Sequence, residues 1–196
     1  MNLSTRPYRM TARAEAVAET RERIVAAAVA LHLERLASEI SLADVAGRAG
    51  VSVQTVLRHF GSREGLTTAA EAWATSEIER ERRSAPGDVS AALRALVEHY
   101  ERRGDGVLLL LAQEPFEPFA ARATGQGRTM HRRWVEEVFG PLLPEGRRAE
   151  AIVDLLVVAT DVYTWKLLRR DRRLSARVTS ERMEALVRAV LAQPPR

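Results

Sequence analysis

Residues 41–66 read SLADVAGRAGVSVQTVLRHFGSREGL, and this stretch decides the fold. Ser41 can cap a helix, and Asp44, three residues later, can complete a capping box. Gly50 permits a tight turn after this first short helix, and Ser52 can cap a second one. Two short helices joined by a glycine-containing turn form a helix-turn-helix. The stretch therefore predicts a helix-turn-helix unit in the N-terminal part of the chain.

The second helix of this pair presents side chains that suit the major groove of DNA. Val56 and Phe60 lie four residues apart and can pack inward, which leaves residues such as Gln54 and Arg58 facing outward. Glutamine can read adenine, and arginine can read guanine, through paired hydrogen bonds. Residues 48–63 contain three arginines and no acidic residue, so this surface is locally basic. An ordinary helical hairpin with solvated arginines is the alternative interpretation.

Hydroxyl groups and a helix start in the same stretch suit contacts with DNA phosphates. Ser52 and Thr55 place hydroxyls at the second helix, and Ser62 opens the next helix, whose free amide groups attract phosphate. Arg63 adds a cation beside that helix start. The predicted DNA-binding residues are Ser41, Arg48, Ser52, Val53, Gln54, Thr55, Leu57, Arg58, His59, Ser62 and Arg63.

Helical periodicity continues outside this stretch. Apolar residues recur at helical spacing in residues 20–36, 88–103, 147–170 and 179–192. No segment alternates like a strand bounded by hairpin signals, while glycines predict an interruption at 104–106 and a kink or loop at 125–127. These patterns predict an all-α fold of about nine helices. Its parts are a flexible N-terminal arm (1–19), a helix-turn-helix DNA-binding domain (20–66) and a helical body (67–196).

Composition excludes several kinds of site. The 196 residues include no cysteine, which excludes disulfides, thiolate nucleophiles and cysteine-ligated metals. The four histidines lie far apart in the sequence and no catalytic motif is found, so we expect no metal, no cofactor and no enzymatic activity. No signal segment or membrane-length apolar run is found, which predicts a cytoplasmic protein. The net charge of +4 is mild, so the local basic surface is the better indicator of a nucleic-acid partner.

The central stretch resembles the DNA-binding domain of the TetR family of bacterial transcription regulators. The matching positions are Ser41, Val45, Ala46, Ala49, Gly50, Val51, Ser52, Thr55, His59, Phe60, Ser62, Glu64 and Leu66. Gln54 stands where the family usually has glycine, Leu57 where it has tyrosine and Arg63 where it has lysine. Leu57 lacks the phenol that commonly touches a phosphate in this family. The resemblance implies a three-helix DNA-binding head, followed by a helical body for ligand binding and dimerisation.

The resemblance also implies an apolar small-molecule pocket in the body, which holds most of the aromatic residues. Asp154 and Asp161 lie seven residues apart on the helix predicted for 147–170, so they would share one face. A buried carboxylate needs a cationic partner, either an arginine of the chain or a cationic ligand, and both alternatives stay open. The candidate ligand-binding residues are His99, Tyr100, Phe116, Phe119, Met130, His131, Trp134, Asp154, Asp161 and Trp165.

The last two predicted helices, at 147–170 and 179–192, are apolar over wide faces. One face of each can serve the core of the monomer, and the remainder would stay exposed unless another copy covers it. Parts of this remainder are Val153, Val157, Leu167, Leu186 and Val190. We therefore expect a homodimer through these helices, which suits a palindromic site.

Together these features predict a TetR-like transcription regulator that binds a double-stranded DNA operator. The expected mode of action is that of a repressor released from a palindromic operator by a small-molecule effector. The alternative is a helix-turn-helix protein with a structural or division-related role and no effector.

Overall fold

The structure of the chain is a computed structural model, which describes the backbone of residues 5–192 and the side chains of residues 13–146 and 148–192. Within these residues the regular structure is helical and no strand occurs, which confirms the predicted all-α fold. The helices are α1 (Thr5–Glu34), α2 (Leu42–Ala49), α3 (Val53–Phe60), α4 (Arg63–Glu81), α5 (Val89–Gln113), α6 (Pro118–Phe139), α7 (Arg147–Thr160), α8 (Val162–Lys166) and α9 (Ala176–Leu191). Over the described part of the chain, no helix combines the length and apolar character needed to span a bilayer.

The chain divides into two compact units, one up to Ser76 and one from Glu77. The boundary lies within α4 and comes later than the boundary predicted after residue 66. The physical reason is that Leu66 and Ala70 of α4 are buried in the core of the first unit. Capping signals in the sequence show where α4 begins. The end of the first unit depends instead on which turns of α4 are buried in its core, and the sequence does not show this.

Helix α1 extends further towards the N-terminus than the sequence predicts. It begins at Thr5, so residues 5–19 are helical where we expected a flexible arm, and residues 1–4 lie outside the described residues. Residues 13–19 are exposed and contain helix-favouring alanine, glutamate and arginine. Because this segment has no apolar face, hydrophobic periodicity could not reveal it as a helix.

The helix-turn-helix forms as its capping residues predict. The hydroxyl of Ser41 accepts a hydrogen bond from the Asp44 amide at 3.2 Å, and the Asp44 carboxylate accepts one from the Ser41 amide at 2.8 Å. Helix α2 ends at Gly50, which has a φ of 67° in the left-handed region. Ser52 then caps α3 through the amide of Thr55. The three-residue turn between α2 and α3 is therefore fixed by local interactions.

The core of the second unit is arranged around α5. Leu93 and Leu96 of α5 are fully buried and pack with side chains from α6, α7, α8 and α9. Their fully buried companions include Val135, Phe139, Leu156, Trp165, Met183 and Val187. This apolar cluster is separate from the core of the first unit.

Helix α5 passes unbroken through Gly104 and Gly106, where an interruption was predicted. Gly104 is buried, and a Cβ built on it would lie 2.5 Å from Cζ3 of Trp165. The glycine therefore serves close packing of an aromatic ring against a helix rather than a turn. This contact offsets the helix-propensity cost of glycine, which is about 1 kcal/mol relative to alanine.

Helix α6 likewise continues through Gly125 and Gly127, so the loop that was the alternative to a kink at 125–127 is wrong. Buried residues on both sides, Ala120 and Trp134, hold this helix against the core. Tertiary packing overrides the weak helix propensity of glycine here.

The helix predicted over 147–170 is in fact two helices. Helix α7 ends at Thr160, and Asp161 is extended, with φ −69° and ψ 154°. Its carboxylate accepts a hydrogen bond from the Tyr163 amide at 2.8 Å and thereby caps α8. Asp154 and Asp161 consequently do not share one face of a continuous helix. Apolar periodicity runs through both helices, so it concealed this break.

Candidate nucleic-acid interface and effector residues

Helix α3 is anchored by one fully buried side chain. Val56 is 0% exposed in the core of the first unit, and Phe60 packs against that core under the guanidinium of Arg21, which lies 5.0 Å from the ring centre. These contacts hold the α3 backbone in place, and they agree with the prediction that Val56 and Phe60 pack inward. The opposite side of the helix faces solvent.

The exposed face of α3 carries groups that are free to bind a ligand. Within the described part of the chain, neither Gln54 nor Arg58 has a hydrogen-bond partner, and both side chains are exposed. They lie four residues apart, so they share a face of the helix. Val53 and Leu57 are 37% and 40% exposed beside them, while His59 is partly buried. Hydrogen-bonding and apolar groups on one short helix are what reading base edges requires.

Arg48 is less available than the sequence suggested. Its Nη1 donates a hydrogen bond to Oε1 of Glu34 at 3.0 Å, and its Nη2 donates to the other carboxylate oxygen. Helix α1 therefore brings an acidic residue beside a stretch that contains none of its own. Because Glu34 balances the charge of Arg48, the positive charges of residues 48–63 that stay unpaired among the described residues are those of Arg58 and Arg63.

Three hydroxyl residues of the predicted DNA-binding set are already used in helix caps. The Ser41 hydroxyl belongs to the capping box, and its hydrogen bonds hold the pKa of Asp44 at about 2. The hydroxyls of Ser52 and Thr55 lie 3.0 Å apart, and Ser52 also accepts the Thr55 amide. Their direct effect is to fix the start of α2 and of α3.

The start of α4 is also occupied by its own side chains. The Ser62 hydroxyl accepts a hydrogen bond from the Gly65 amide at 3.1 Å. Hydrogen bonds from the Glu64 backbone amide and from Ser62 lower the pKa of the Glu64 carboxyl. A phosphate at this helix start would therefore compete with the Glu64 carboxylate.

Arg63 has a structural contact besides its predicted role at phosphate. Its Nη2 donates a hydrogen bond to the Ile40 carbonyl at 2.8 Å, just before α2. Arg63 is otherwise exposed, so the same guanidinium can present further N–H groups to solvent or to DNA. The sequence does not reveal this contact, because the two residues lie on different elements.

Replacing Arg63 by alanine should weaken binding to all DNA sequences to a similar extent. Removing one phosphate contact should lower the slope of log affinity against log salt concentration by about 1 and leave base preference unchanged. Fluorescence anisotropy with two unrelated duplexes at several salt concentrations measures both quantities. Arg63→Lys is the matched control, because it keeps the cation and should keep the slope. An unchanged slope in Arg63→Ala would remove Arg63 from the DNA contacts.

The candidate effector residues are divided among the core, the surface and one cavity. Phe116 is 71% exposed, and Phe119 is partly buried. Met130 and Trp134 line a cavity of about 350 Å³. The candidates that lie in the core are His99, Tyr100, His131, Trp134 and Trp165.

The two candidate aspartates are engaged within the chain. Oδ1 of Asp154 accepts a hydrogen bond from Nη1 of Arg132 at 2.7 Å, and the Asp154 side chain is 63% exposed. Asp161 caps α8. This arrangement favours the internal role over a cationic ligand that bridges both carboxylates. No cluster of three acidic or histidine side chains suited to a metal ion occurs in residues that the structure describes.

His131 links a buried arginine to α7. Its Nδ1 lies 3.3 Å from Nη1 of Arg82, and its Nε2 lies 3.0 Å from Oγ1 of Thr160. The Thr160 hydroxyl donates its proton to the Leu156 carbonyl at 2.7 Å. Nε2 of His131 must therefore be the donor, and its Nδ1 accepts from the guanidinium. Burial, together with the charge of Arg82, lowers the pKa of His131 to about 3, so the ring is neutral.

The second unit should lose stability as the pH falls below about 6.5. His131 and His99 each have a folded-state pKa lowered by burial from 6.5 to about 3, so only the unfolded chain binds their protons in this range. Each histidine should contribute a slope approaching ~1.4 kcal/mol per pH unit to the loss of unfolding free energy. Urea unfolding between pH 7.5 and pH 4.5 measures it, using about half-unit steps. His131→Gln should have a shallower dependence than the wild type, and equal slopes would contradict the assignment.

Arg82 was not among the predicted site residues. It is 8% exposed, and one side of its guanidinium, at Nε, has no hydrogen-bond partner within the described residues. The sequence cannot single it out, because 29 of the 30 basic residues are arginines and only burial distinguishes this one.

One known protein family matches a segment of the first unit. Residues 24–70 match the family described as "Bacterial regulatory proteins, tetR family". This range contains all of α2 and α3 and the packed turns of α1 and α4. No match was found among curated protein sequences.

Solved structures of similar fold cover most of the chain. A transcriptional regulator from Rhodococcus sp. Rha1 is 19% identical, with a TM-score of 0.63 over 87% of this chain and 95% of its own. A tetR-family transcriptional regulator from Streptomyces coelicolor is 20% identical, with a TM-score of 0.63 over 90% of each chain. A TetR-family regulator from Rhodococcus sp. is 17% identical, with a TM-score of 0.65 over 89% of this chain and all of its own. At these identities the likeness establishes the fold alone.

Proposed function

Since the chain carries the helix-turn-helix domain of the tetR family of bacterial regulatory proteins and has the fold of such regulators, we propose that it is a cytoplasmic transcription repressor. It binds a palindromic DNA operator as a homodimer, is released by a small-molecule effector, and acts by binding rather than by catalysis. The observation that carries this proposal is the exposed face of α3, where Gln54 and Arg58 have no hydrogen-bond partner in the described part of the chain.

Exposed apolar side chains on α7, α8 and α9, and on the helical segment Leu167–Asp171 that follows α8, support the homodimer. Of the predicted contact residues, Leu167 and Leu186 are 58% and 45% exposed, whereas Val153 is buried in the core of its own unit. Val157 and Val190 are partly buried against that core. The further exposed apolar residues on these helices are Leu155, Val158 and Tyr163. Exposed apolar side chains of this kind are typical of an interface between copies.

Sedimentation at micromolar concentration tests the dimer. The wild type should sediment at twice the mass of the chain, and a double substitution, Val158→Glu with Leu167→Glu, should give monomers. Phe116→Glu is the matched control, because Phe116 is even more exposed but lies in the connection between α5 and α6, outside the helices of the proposed interface. A monomeric wild type would overturn the proposed homodimer.

Helix α4 is the proposed route by which an effector alters DNA binding. It begins in the first unit at Arg63 and ends in the second unit at Glu81. An effector that binds one arrangement of α4 more tightly than another shifts the population between them. The shift is limited by the difference between the two affinities. Release of DNA follows when the two copies of α3 no longer match the spacing of the half-sites.

Footprinting on the DNA that flanks the chain's own gene tests the regulatory function. The expected result is a protected inverted repeat, because regulators of this kind usually act on neighbouring genes. Protection should be lost in the Gln54→Ala, Arg58→Ala double variant. No sequence-specific protection there, combined with strong non-specific binding, would favour the structural role instead.

A further inference from the structure

A buried positive charge in the second unit has no carboxylate hydrogen-bonded to it among the described residues. The guanidinium of Arg82 contacts neutral groups only, Nδ1 of His131 at 3.3 Å and the ring of Tyr100, whose centre is 5.3 Å away. Its Nε is buried and has no hydrogen-bond partner. Leaving a buried charge unpaired is costly, so such groups are normally paired or bind a ligand.

The carboxylates of the neighbourhood are committed elsewhere. Glu81 accepts hydrogen bonds from Nε of Arg103 at 3.1 Å and from Nδ1 of His99 at 2.6 Å. Asp161 caps α8. Both attract Arg82 through space, but neither forms a hydrogen bond with it. Among the described residues, Arg82 therefore keeps an unused donor at Nε, and its charge has no carboxylate hydrogen-bonded to it.

A cavity of about 350 Å³ lies in the second unit, beside the C-terminal ends of α4 and α6. Arg82 and Ser84 both line it, and Oγ of Ser84 is a second buried polar atom with no hydrogen-bond partner in the part of the chain that the structure describes. Two unsatisfied polar groups at one cavity are rare in a folded protein and call for an explanation. A water molecule is neutral, so it could satisfy a polar atom here without balancing the charge of Arg82.

The other charges and surfaces of the cavity favour an anion with an apolar part. Arg133 is already paired with Glu79, and its Nε lies 3.6 Å from Oε1 of Glu137. Its charge is therefore balanced within the chain. Trp134 uses its indole N–H on the Arg82 carbonyl at 3.2 Å, which leaves its ring, with Met130, as apolar wall. A polar end and an apolar wall in one cavity are typical of small-molecule sites.

We propose that this cavity binds a small organic carboxylate, with its charged group on Arg82 and Ser84 and its apolar body against Trp134 and Met130. The proposed ligand is thus an anion, whereas Asp154 and Asp161 suggested a cationic ligand. If the proposed function holds, such a carboxylate is the class of effector that releases DNA. The binding site itself does not depend on that function.

The test uses benzoate, 2-naphthoate and decanoate, each compared with its neutral amide, on the full-length protein without DNA. At least one carboxylate should raise the melting temperature and bind at least tenfold more tightly than its amide in titration calorimetry. Arg82→Met should weaken that binding at least tenfold, and Ser84→Ala several-fold. Arg83→Met is the matched control: Arg83 also lines the cavity but is exposed, and its variant should bind within about twofold of the wild type.

The melting temperature of the ligand-free variant distinguishes a ligand-binding role of Arg82 from a purely structural one. Because the charge is buried and unpaired, the ligand-free Arg82→Met protein should melt no lower than the wild type. The proposal is overturned if no carboxylate binds, if amides bind equally, or if Arg82→Met lowers the melting temperature while leaving affinity unchanged. Adding the bound carboxylate to a protein–DNA complex then tests regulation separately. DNA that stays bound would reject the effector role and leave the site intact, whereas a failure to bind DNA without carboxylate would reject the proposed function.

Discussion

Replacing Gly104 by alanine should destabilise the second unit by about 1–3 kcal/mol, because the added methyl group overpacks a buried ring. Its Cβ would lie 2.5 Å from Cζ3 and 2.6 Å from Cη2 of Trp165. The ring cannot withdraw easily, since its N–H donates to Glu101 at 3.0 Å and the guanidinium of Arg170 lies 4.4 Å from its centre. Valine at the same position should cost more. Urea unfolding monitored by tryptophan fluorescence measures the change.

Gly125→Ala is the matched control for this prediction. Gly125 is also inside a helix, but a Cβ there would meet no atom within 4 Å. Alanine should therefore stabilise the protein by up to about 1 kcal/mol through helix propensity alone. Opposite signs for the two variants are expected. A stabilising Gly104→Ala would show that Trp165 does not pack as described.

The double substitution Gln54→Ala with Arg58→Ala should abolish sequence-specific DNA binding. Each side chain should contribute about 1–3 kcal/mol if it makes a bidentate contact with a base. The two losses together amount to at least about 2 kcal/mol, so the double variant should bind its operator at least about thirtyfold more weakly. Non-specific affinity should fall much less, because Arg63 and the α3 backbone stay in place. Competition binding against operator and unrelated DNA separates the two effects.

Two exposed residues of the second unit provide controls of the same types. Gln126→Ala and Arg122→Ala remove a glutamine and an arginine from α6. Both should leave operator affinity unchanged. Circular dichroism should show equal helix content for all these variants, since the replaced side chains are exposed. Unchanged specificity in the Gln54, Arg58 double variant would mean that α3 does not read the operator.

Local interactions explain why the sequence predicts the helix-turn-helix so closely. The Ser41–Asp44 capping box and the left-handed turn at Gly50 involve residues within a few positions of one another. The inward position of Val56 follows from the period of the helix. Each signal is complete within the stretch that contains it, so nothing distant is needed to decide the outcome.

Distant partners decide the features that the sequence could not reveal. Gly104 stays helical because Trp165, far along the chain, fills the space beside it. Arg48 is neutralised by Glu34 from α1, although its own stretch contains no acidic residue. Arg82 differs from the other arginines because it is buried and no carboxylate is hydrogen-bonded to it in the described part of the chain. This difference arises from the packing of the unit and has no sequence signature.

Selection of bound DNA from a random duplex library, using the full-length protein, tests most directly whether α3 reads an operator. We expect an enriched inverted repeat whose half-site centres are separated by about one helical turn of DNA or a multiple of it. Repeating the selection with Gln54→Ala and with Arg58→Ala should relax base preference at distinct positions of each half-site. The same enriched repeat from the wild type and both variants, or no enriched sequence from the wild type, would contradict this account.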